Sequence, residues 1–288
     1  MIAAHKKQNL FSASKIYIPV FFIIIFCNTH QVMAQRTATS QRAGELRKAE
    51  KGLDDNRYYF YFLNSSVTNS GTDVEKKIFK EAFQRDLISQ LLFMKFLFRE
   101  SYIEIRKAQK LLIDSYRTAL SRDINSTKGL LNEIAPGVVE SKRASSTHYL
   151  GLGYRDMRVA EIYMMIADNY TPSLYSMRLY KYVEAIKLAK HGRRYGLIAL
   201  IDSRIDPEEK KKFENPGFEQ IREKLAKYAS PEKQDQYNIL NLDNYYLPKD
   251  GKLYYDVLWE KPDLNEISDY QKYLDEVEMN LPDKVPVK

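Results

Sequence analysis

Cysteine is almost missing from this 288-residue chain, Cys27 being the only one, and histidine is scarce at four copies. Beyond residue 34 no cysteine remains, and the only histidines are His148 and His191, 43 residues apart with no paired acids beside them. A chain built this way makes no disulfide framework, no cysteine nucleophile and no His/Cys zinc cage. Glycine (11) and proline (10) are thinly spread, and none of either falls between Gly71 and Gly129. Alternating apolar and polar runs are rare, which argues against sheet. Past residue 34 no apolar run approaches the roughly 20 residues a membrane-spanning helix needs.

What is present begins with an address. Lys6, Lys7 and Lys15 precede an apolar run over residues 16–26, and Val32-Met33-Ala34 then stand before Gln35. A basic stretch, a short apolar core and a small-residue site make a secretory signal over residues 1–34, cleaved after Ala34. Lipoprotein processing at Cys27 is one alternative, against which stands bulky Phe26, and an uncleaved anchor is another. The expected product is periplasmic, soluble and not inserted in a membrane.

The body divides into an N-terminal segment (35–73), a helical domain (74–240) and a Tyr-rich acidic end (241–288). The first of these carries a short helix near 43–52, the aromatic run Tyr58-Tyr59-Phe60-Tyr61-Phe62 and a loop of turn formers over 64–73. Phe79, Phe83, Leu87, Leu91, Met94 and Phe98 then lead into Tyr102, Ile105, Ala108, Leu112, Tyr116 and Ala119. Steps of three and four throughout make one apolar helical stripe. It reads either as one long helix or as an antiparallel pair broken near Arg99-Glu100-Ser101.

A second helical block covers residues 145–203, divided at Thr171-Pro172, with Gly192 as a possible corner. Short helices are expected at 207–213 and 218–228, each opened by a proline-bearing turn. Tyr245-Tyr246 and Tyr254-Tyr255 flank a turn that reads as a small hairpin or a wrapped loop, and a last amphipathic helix is expected over 263–280. The fold class is all-α: an elongated helical-hairpin stack around a long central helix or helix pair. Ala160, Met164, Ala167 and Pro172 match the second helix of a tetratricopeptide unit, but Ala185 follows Ala160 by 25 residues where that repeat needs about 34.

Few residues invite chemistry. Glu100-Ser101 on a helix resembles the Glu-Ser pair of lytic transglycosylases, in which a glutamate is the general acid. The partner segments of that family are absent, so a peptidoglycan-cleaving enzyme is the remote reading and a solvated glutamate the plain one. Glu208-Glu209 and Asp275-Glu276 have no oxygen-ligand loop around them. Gly151 and Gly153 lack the strand and third glycine of a phosphate loop, which leaves close helix packing. No catalytic residue, metal or cofactor is expected.

Tyrosine and charge stand out. There are 22 tyrosines, and all but Tyr17 lie past residue 34. With its apolar body and polar tip, Tyr is enriched at interfaces, although a Tyr-rich core accounts for the clusters equally well. The net charge of +7 is unevenly placed: residues 241–288 hold 11 acids against 6 bases, and residues 35–240 carry +9. Lys187, Lys190, His191 and Arg194 share one helical face, with Arg178 and Lys181 upstream. A basic body with an acidic end docks head to tail or on an acidic partner, or folds its end back on itself. The candidate interaction residues are therefore Tyr58, Tyr59, Tyr61, Lys187, Lys190, Arg194, Tyr245, Tyr246, Tyr254 and Tyr255. Nucleic acid is disfavoured as a partner by export, despite a pI near 9.1.

The stretch Tyr149-Leu150-Gly151-Leu152-Gly153-Tyr154-Arg155-Asp156, with Leu179-Tyr180-Lys181-Tyr182-Val183-Glu184-Ala185-Ile186-Lys187-Leu188-Ala189-Lys190-His191-Gly192, resembles the flagellar coiling proteins of spirochaetes. The resemblance covers roughly residues 74–228. It implies a non-enzymatic, partly tetratricopeptide-like sheath component that coats the periplasmic flagellar filament, shapes it and supports motility. Implied partners are other filament and sheath proteins and further copies of the chain. The competing expectation is a soluble periplasmic adaptor that binds a peptide or envelope protein in a concave helical face.

Overall fold

Among the described residues, Gly71 and Thr72 make the first break in the helical chain. The computed structural model describes residues 14–213, 215–242, 251–260 and 262, with side chains from residue 42 onward. Most of the expected signal segment, Tyr245, Tyr246 and the expected helix over 263–280 lie outside the residues described in full. Before the break runs α1 (Ser14–Ser70) and after it α2 (Asp73–Met94). Thr72 caps α2: its hydroxyl accepts the Glu75 N–H at 3.3 Å, while the Glu75 carboxylate accepts the Thr72 N–H at 2.6 Å.

The continuous apolar stripe is two helices. α2 ends at Met94 and α3 (Phe98–Glu140) begins four residues later. The break precedes the Arg99-Glu100-Ser101 position read from the sequence. Phe96 takes a left-handed conformation (φ 63), and Leu97 N–H reaches back to the Leu92 carbonyl at 3.0 Å. That is a helix-terminating turn of the kind glycine usually makes. A second such turn, with Lys142 at φ 53, separates α3 from α4 (Ala144–Asn169). Residues 170–174 then lead to α5 (Tyr175–Arg204), which divides the second block at Thr171-Pro172 as the sequence predicts.

Contacts give the topology. Gly52 lies on Ile105, the Tyr116 hydroxyl donates to the Tyr59 carbonyl at 2.6 Å, and Ser66 donates to Asp123 at 2.8 Å. Both chain positions advance together, so α1 and α3 are parallel. Tyr116 stacks on Tyr182 at 6.1 Å and Arg193 donates to Thr127 at 3.3 Å, so α5 is parallel to α3 as well. Helices α1, α3 and α5 pack on one another; antiparallel α2 lies against α1 and α3, and antiparallel α4 against α3 and α5. The 43-residue α3 is the central helix, and the described residues contain helices and no strand. The all-α reading with a long central helix holds.

The core follows the stripe. Leu112, Tyr116, Ala119 and Leu120 of α3 meet Phe60, Leu63 and Val67 of α1 and Leu179, Tyr182, Val183 and Ile186 of α5, all fully buried. Charges are buried with them. Asp123, 1% exposed, faces Arg193, 3% exposed, with the Arg193 Nη2 at 3.7 Å from its carboxylate. Arg122 joins Asp123 to Glu75.

Two sequence readings change. Residues 64–70 belong to α1, not to a loop. Asn64, Ser65 and Ser66 are buried, with side chains bonded to neighbouring elements, so their turn preference is overridden by tertiary partners. Gly192 is no corner: α5 runs straight through it, and the missing side chain lets α4 approach. A Cβ there would sit 3.1 Å from the Gly153 carbonyl, and one on Gly153 would sit 3.2 Å from the Gly192 carbonyl. Close packing accounts for Gly153, while Gly151 has nothing within 4 Å.

The described residues close with α6 (Pro207–Lys210), α7 (Phe218–Tyr228), α8 (Pro231–Leu242) and α9 (Tyr254–Glu260). The sequence marks the first two but not α8. Helices α7 and α8 pack beside α5, and α9 packs on α1 and α2.

Candidate functional site

Where α5 leaves α1 and meets α7 and α8, the bundle opens into a cleft of about 370 Å³. Its wall is one face of α5. Lys190, His191 and Arg194 project there within little more than one helical turn, followed by Tyr195, Leu197 and Ile198. From α4 comes Tyr149, whose ring stacks on Tyr195 at 6.3 Å with planes 22° apart. Asn215 and Pro216, ahead of α7, and Leu240 and Asn241, at the end of α8, complete the lining.

The Gly153–Gly192 crossing builds this arrangement. Antiparallel helices that touch at 153 and 192 bring 149 opposite 196, and so set Tyr149 beside Tyr195. The rim is fastened in the same economical way. Arg194 donates to the Pro216 carbonyl, and Asn241 Nδ2 donates to the Phe218 carbonyl at 3.2 Å. Behind the rim, Glu209 accepts Lys224 at 3.2 Å, Lys227 at 2.8 Å and Tyr228 at 2.9 Å. Those donors hold its carboxyl down at about 2. Helix α6 is thereby tied to α7, and Asn215 between them, left-handed at φ 49, lines the cleft.

Electrostatically the cleft is one-signed: three basic side chains line it and no carboxylate does. Lys190, 6% exposed, forms part of the floor, and its ammonium donates to Ser65 of α1. His191 is exposed. Neighbouring polar groups can hold an anion there, since a positive concave site concentrates opposite charge.

The other sequence-selected residues are distributed elsewhere. Lys187, one turn before the cleft, faces α1: its ammonium donates to the Tyr58 hydroxyl and to Glu184, each at 3.0 Å, and lies 4.5 Å from the Phe62 ring centre. Arg178 donates to the Ala167 carbonyl at 3.1 Å, and Lys181 lies over the Tyr163 ring at 4.9 Å. The basic face is thus divided among three neighbours. Tyr59 is fully buried and donates to the Ser176 carbonyl at 3.2 Å. Tyr58 is half-buried beside Tyr180, whose own hydroxyl donates to Asp55 at 2.6 Å. Burial and that carboxylate push Tyr180 up to about 12. Tyr61 is 39% exposed at an edge of α1. Tyr254 and Tyr255 belong to helix α9, not a strand, and Tyr255 packs on Phe60 and Phe83 at 5.1 and 5.5 Å. Glu100 sits on the first turn of α3, at the opposite end of that helix from the residues under the cleft.

Lys190 and Arg194 are therefore the candidates that the fold brings together. Tyr149, Tyr195, Asn215 and Asn241 join them without having been selected from sequence. The two close-packing glycines were the available signal, since they fix the register that pairs Tyr149 with Tyr195. Nothing comparable marks Asn215 or Asn241.

Residues 43–272 match the family described as surface protein adhesin OmpL37. That span takes in most of the chain, from the first described side chains of α1 past α9, and the chain belongs to this family. It is a family of surface proteins, and the match does not extend to the flagellar coiling proteins that roughly residues 74–228 resemble. No curated protein and no solved structure matches the chain. Among the described residues no helix is long and apolar enough to cross a membrane.

Proposed function

We propose that the protein is an exported, non-enzymatic adhesin, a helical body displayed at the cell surface that binds an external ligand through the basic, tyrosine-walled cleft. The observation that carries the reading is the family match over residues 43–272, which coincides with the helical body. The cleft adds a physical means. It is concave, at the small end of the ~300–1,000 Å³ range of ligand sites, and its charge is of one sign. Many copies on one surface turn a modest affinity per cleft into firm attachment, because each binding event raises the effective concentration for the next.

The test is made on intact cells. Protease shaving that removes the protein without lysis, together with saturable binding of the purified chain to immobilised extracellular proteins or saccharides, is the expected result. Protection from shaving in cells whose outer surface is otherwise cleaved overturns it.

A second reading rests on the resemblance over residues 149–156 and 179–192, which the fold assembles into the α4–α5 hairpin. On that reading the protein stays in the periplasm and lies along the flagellar filament, assembling with sheath proteins and with itself. Co-sedimentation with purified filaments and poor swimming of a deletion strain would favour it over surface display. A soluble periplasmic adaptor would appear in neither fraction.

A further inference from the structure

We propose that the cleft between α4, α5 and α8 takes an anionic saccharide, a sugar bearing carboxylate or sulfate. This deepens the adhesin reading and rests on it. Three features of the cleft point the same way. The first is charge: the cations Lys190 and Arg194 line it, His191 adds an imidazole, and no acid does. A neutral ligand would gain nothing from that excess, whereas an anion is drawn in and held by charge-assisted hydrogen bonds.

The second is the wall. Tyr149 and Tyr195 both line the cleft and stack with planes 22° apart and centres 6.3 Å apart, which sets two aromatic rings into one wall. A pyranose has one face of C–H groups, and such a face packs on a tyrosine ring while its hydroxyls remain at the edges for hydrogen bonds. An extended acidic peptide offers no comparable flat apolar face, which favours the sugar.

The third is the amide pair. Asn215 and Asn241 border the same space, and Asn241 gives its Nδ2 to Phe218, so its Oδ1 is the acceptor it offers. Amides supply both donors and acceptors, the pattern that sugar hydroxyls require. The volume of about 370 Å³ fits a short saccharide segment and not a folded partner.

The test is calorimetric titration of the whole mature protein at about 0.15 M ionic strength, where long-range surface charge is screened. The probes are a heparin-derived tetrasaccharide, which carries sulfates, a hyaluronan-derived tetrasaccharide, which carries carboxylates only, maltotetraose as the neutral sugar, and poly-glutamate as the acidic peptide. Binding of one or both acidic sugars, without maltotetraose, is expected. Tyr195→Ala and His191→Gln should each weaken it by about tenfold or more. Tyr195→Phe should retain it, which separates loss of the ring surface from loss of the fold. Lys128→Gln removes a positive charge outside the cleft and should leave binding unchanged. Poly-glutamate binding as tightly as the sugars, binding indifferent to Tyr195→Ala, or no binding of either acidic sugar by the folded protein each overturns the proposal. The two readings fail separately. A shaved, surface-exposed protein that ignores both acidic sugars remains an adhesin with another ligand. A protein protected from shaving loses the adhesin reading whatever the titration shows.

Discussion

The Tyr255 backbone N–H donates to Asn64 Oδ1 at 3.1 Å, although the two residues are 191 positions apart in the chain. One residue earlier, the Tyr254 N–H donates to Thr68 Oγ1 at 2.8 Å, and Thr68 also donates to Asn64 Oδ1 at 3.2 Å. The N–H groups that open a helix have no partner within it. For α9 they find partners on α1, so a remote helix supplies the cap that a preceding Ser or Asn usually provides. Asn64→Ala should therefore lower the local stability of α9 by about 0.5–2 kcal/mol, while the α3–α5 core keeps its protection. Hydrogen exchange resolved along the chain checks this: faster exchange confined to 254–260 is expected, and Asn64→Asp should largely restore the wild-type rate. Uniformly faster exchange across all helices would show that Asn64 acts through the core instead.

That relationship also shows what the sequence conceals. Residues 64–70 are composed of turn formers, and on local preference they end a helix. They continue it because Ser66 reaches Asp123, Ser65 meets Lys190, and Asn64 and Thr68 meet α9, all partners distant in sequence. The two-helix break is hidden for a related reason: the stripe from Phe79 to Ala119 keeps its period across residues 95–97, and an exposed phenylalanine at φ 63 stands where glycine is the usual signal. By contrast the α4–α5 division is legible, since Thr171-Pro172 marks it locally. In the cleft, Lys190, His191 and Arg194 are legible as neighbours on one helix. Tyr149 and Asn241 come from other helices, and only the fold brings them there.

Glycine positions in α4 and α5 separate packing from propensity. A Cβ on Gly192 would meet Met157 Cε at 2.8 Å and the Gly153 carbonyl at 3.1 Å. The methionine end can move, but the backbone carbonyl cannot without parting the helices. Gly192→Ala should cost about 1–3 kcal/mol by overpacking. Gly151→Ala meets nothing within 4 Å and should stabilise α4 by roughly 0.5–1 kcal/mol through helix propensity. Thermal melts of the two variants should shift in opposite directions. Equal shifts would mean that the crossing is looser than its geometry implies. Because this crossing aligns Tyr149 with Tyr195, Gly192→Ala should also disturb the cleft, which Gly151→Ala should not.

Asp86 gives a pH dependence of uncommon sign. It is buried between α1 and α3, where it accepts Asn56 Nδ2 at 2.7 Å and Gln90 Nε2 at 2.8 Å. Burial pushes its carboxyl up to about 6 from an ordinary 3.8, against the pull of those two donors. Between those values the folded chain holds a proton that the unfolded chain releases, so the ionisation of Asp86 opposes folding as pH rises through that window. Its contribution is least unfavourable below about 4 and fully unfavourable above about 6. Glu209 and Asp202 are lowered in the fold and act in the opposite direction at lower pH, so the total curve mixes signs. The difference between wild type and Asp86→Asn isolates the term. In denaturant titrations from pH 4 to pH 7, Asp86→Asn should gain stability relative to wild type as pH rises. A constant difference would show that Asp86 titrates alike folded and unfolded.

The buried pair at the meeting of α1, α3 and α5 has a different consequence. Asp123 and Arg193 are 1% and 3% exposed, and Asp123 also receives Ser66 of α1 at 2.8 Å. Removing both from water is expensive, and a buried pair contributes little net stability even when well made. Removing one partner is worse, because the other charge stays buried and under-compensated. Asp123→Ala should cost about 3–5 kcal/mol, whereas the double variant Asp123→Leu with Arg193→Met should cost clearly less than that single change. Denaturant unfolding of both checks the order, and a double variant as weak as Asp123→Ala would refute the argument. The apolar surfaces joining α1 to α3 are broad and repeat at helical steps, so by themselves they would tolerate a slip of one turn. The Ser66–Asp123 and Tyr116–Tyr59 bonds do not, and the double variant combined with Tyr116→Phe, which loses both, should therefore leave α1 less firmly registered. A spin-label distance between exposed Lys51 of α1 and exposed Lys110 of α3, narrow in wild type and broadened in that variant, would report the effect directly.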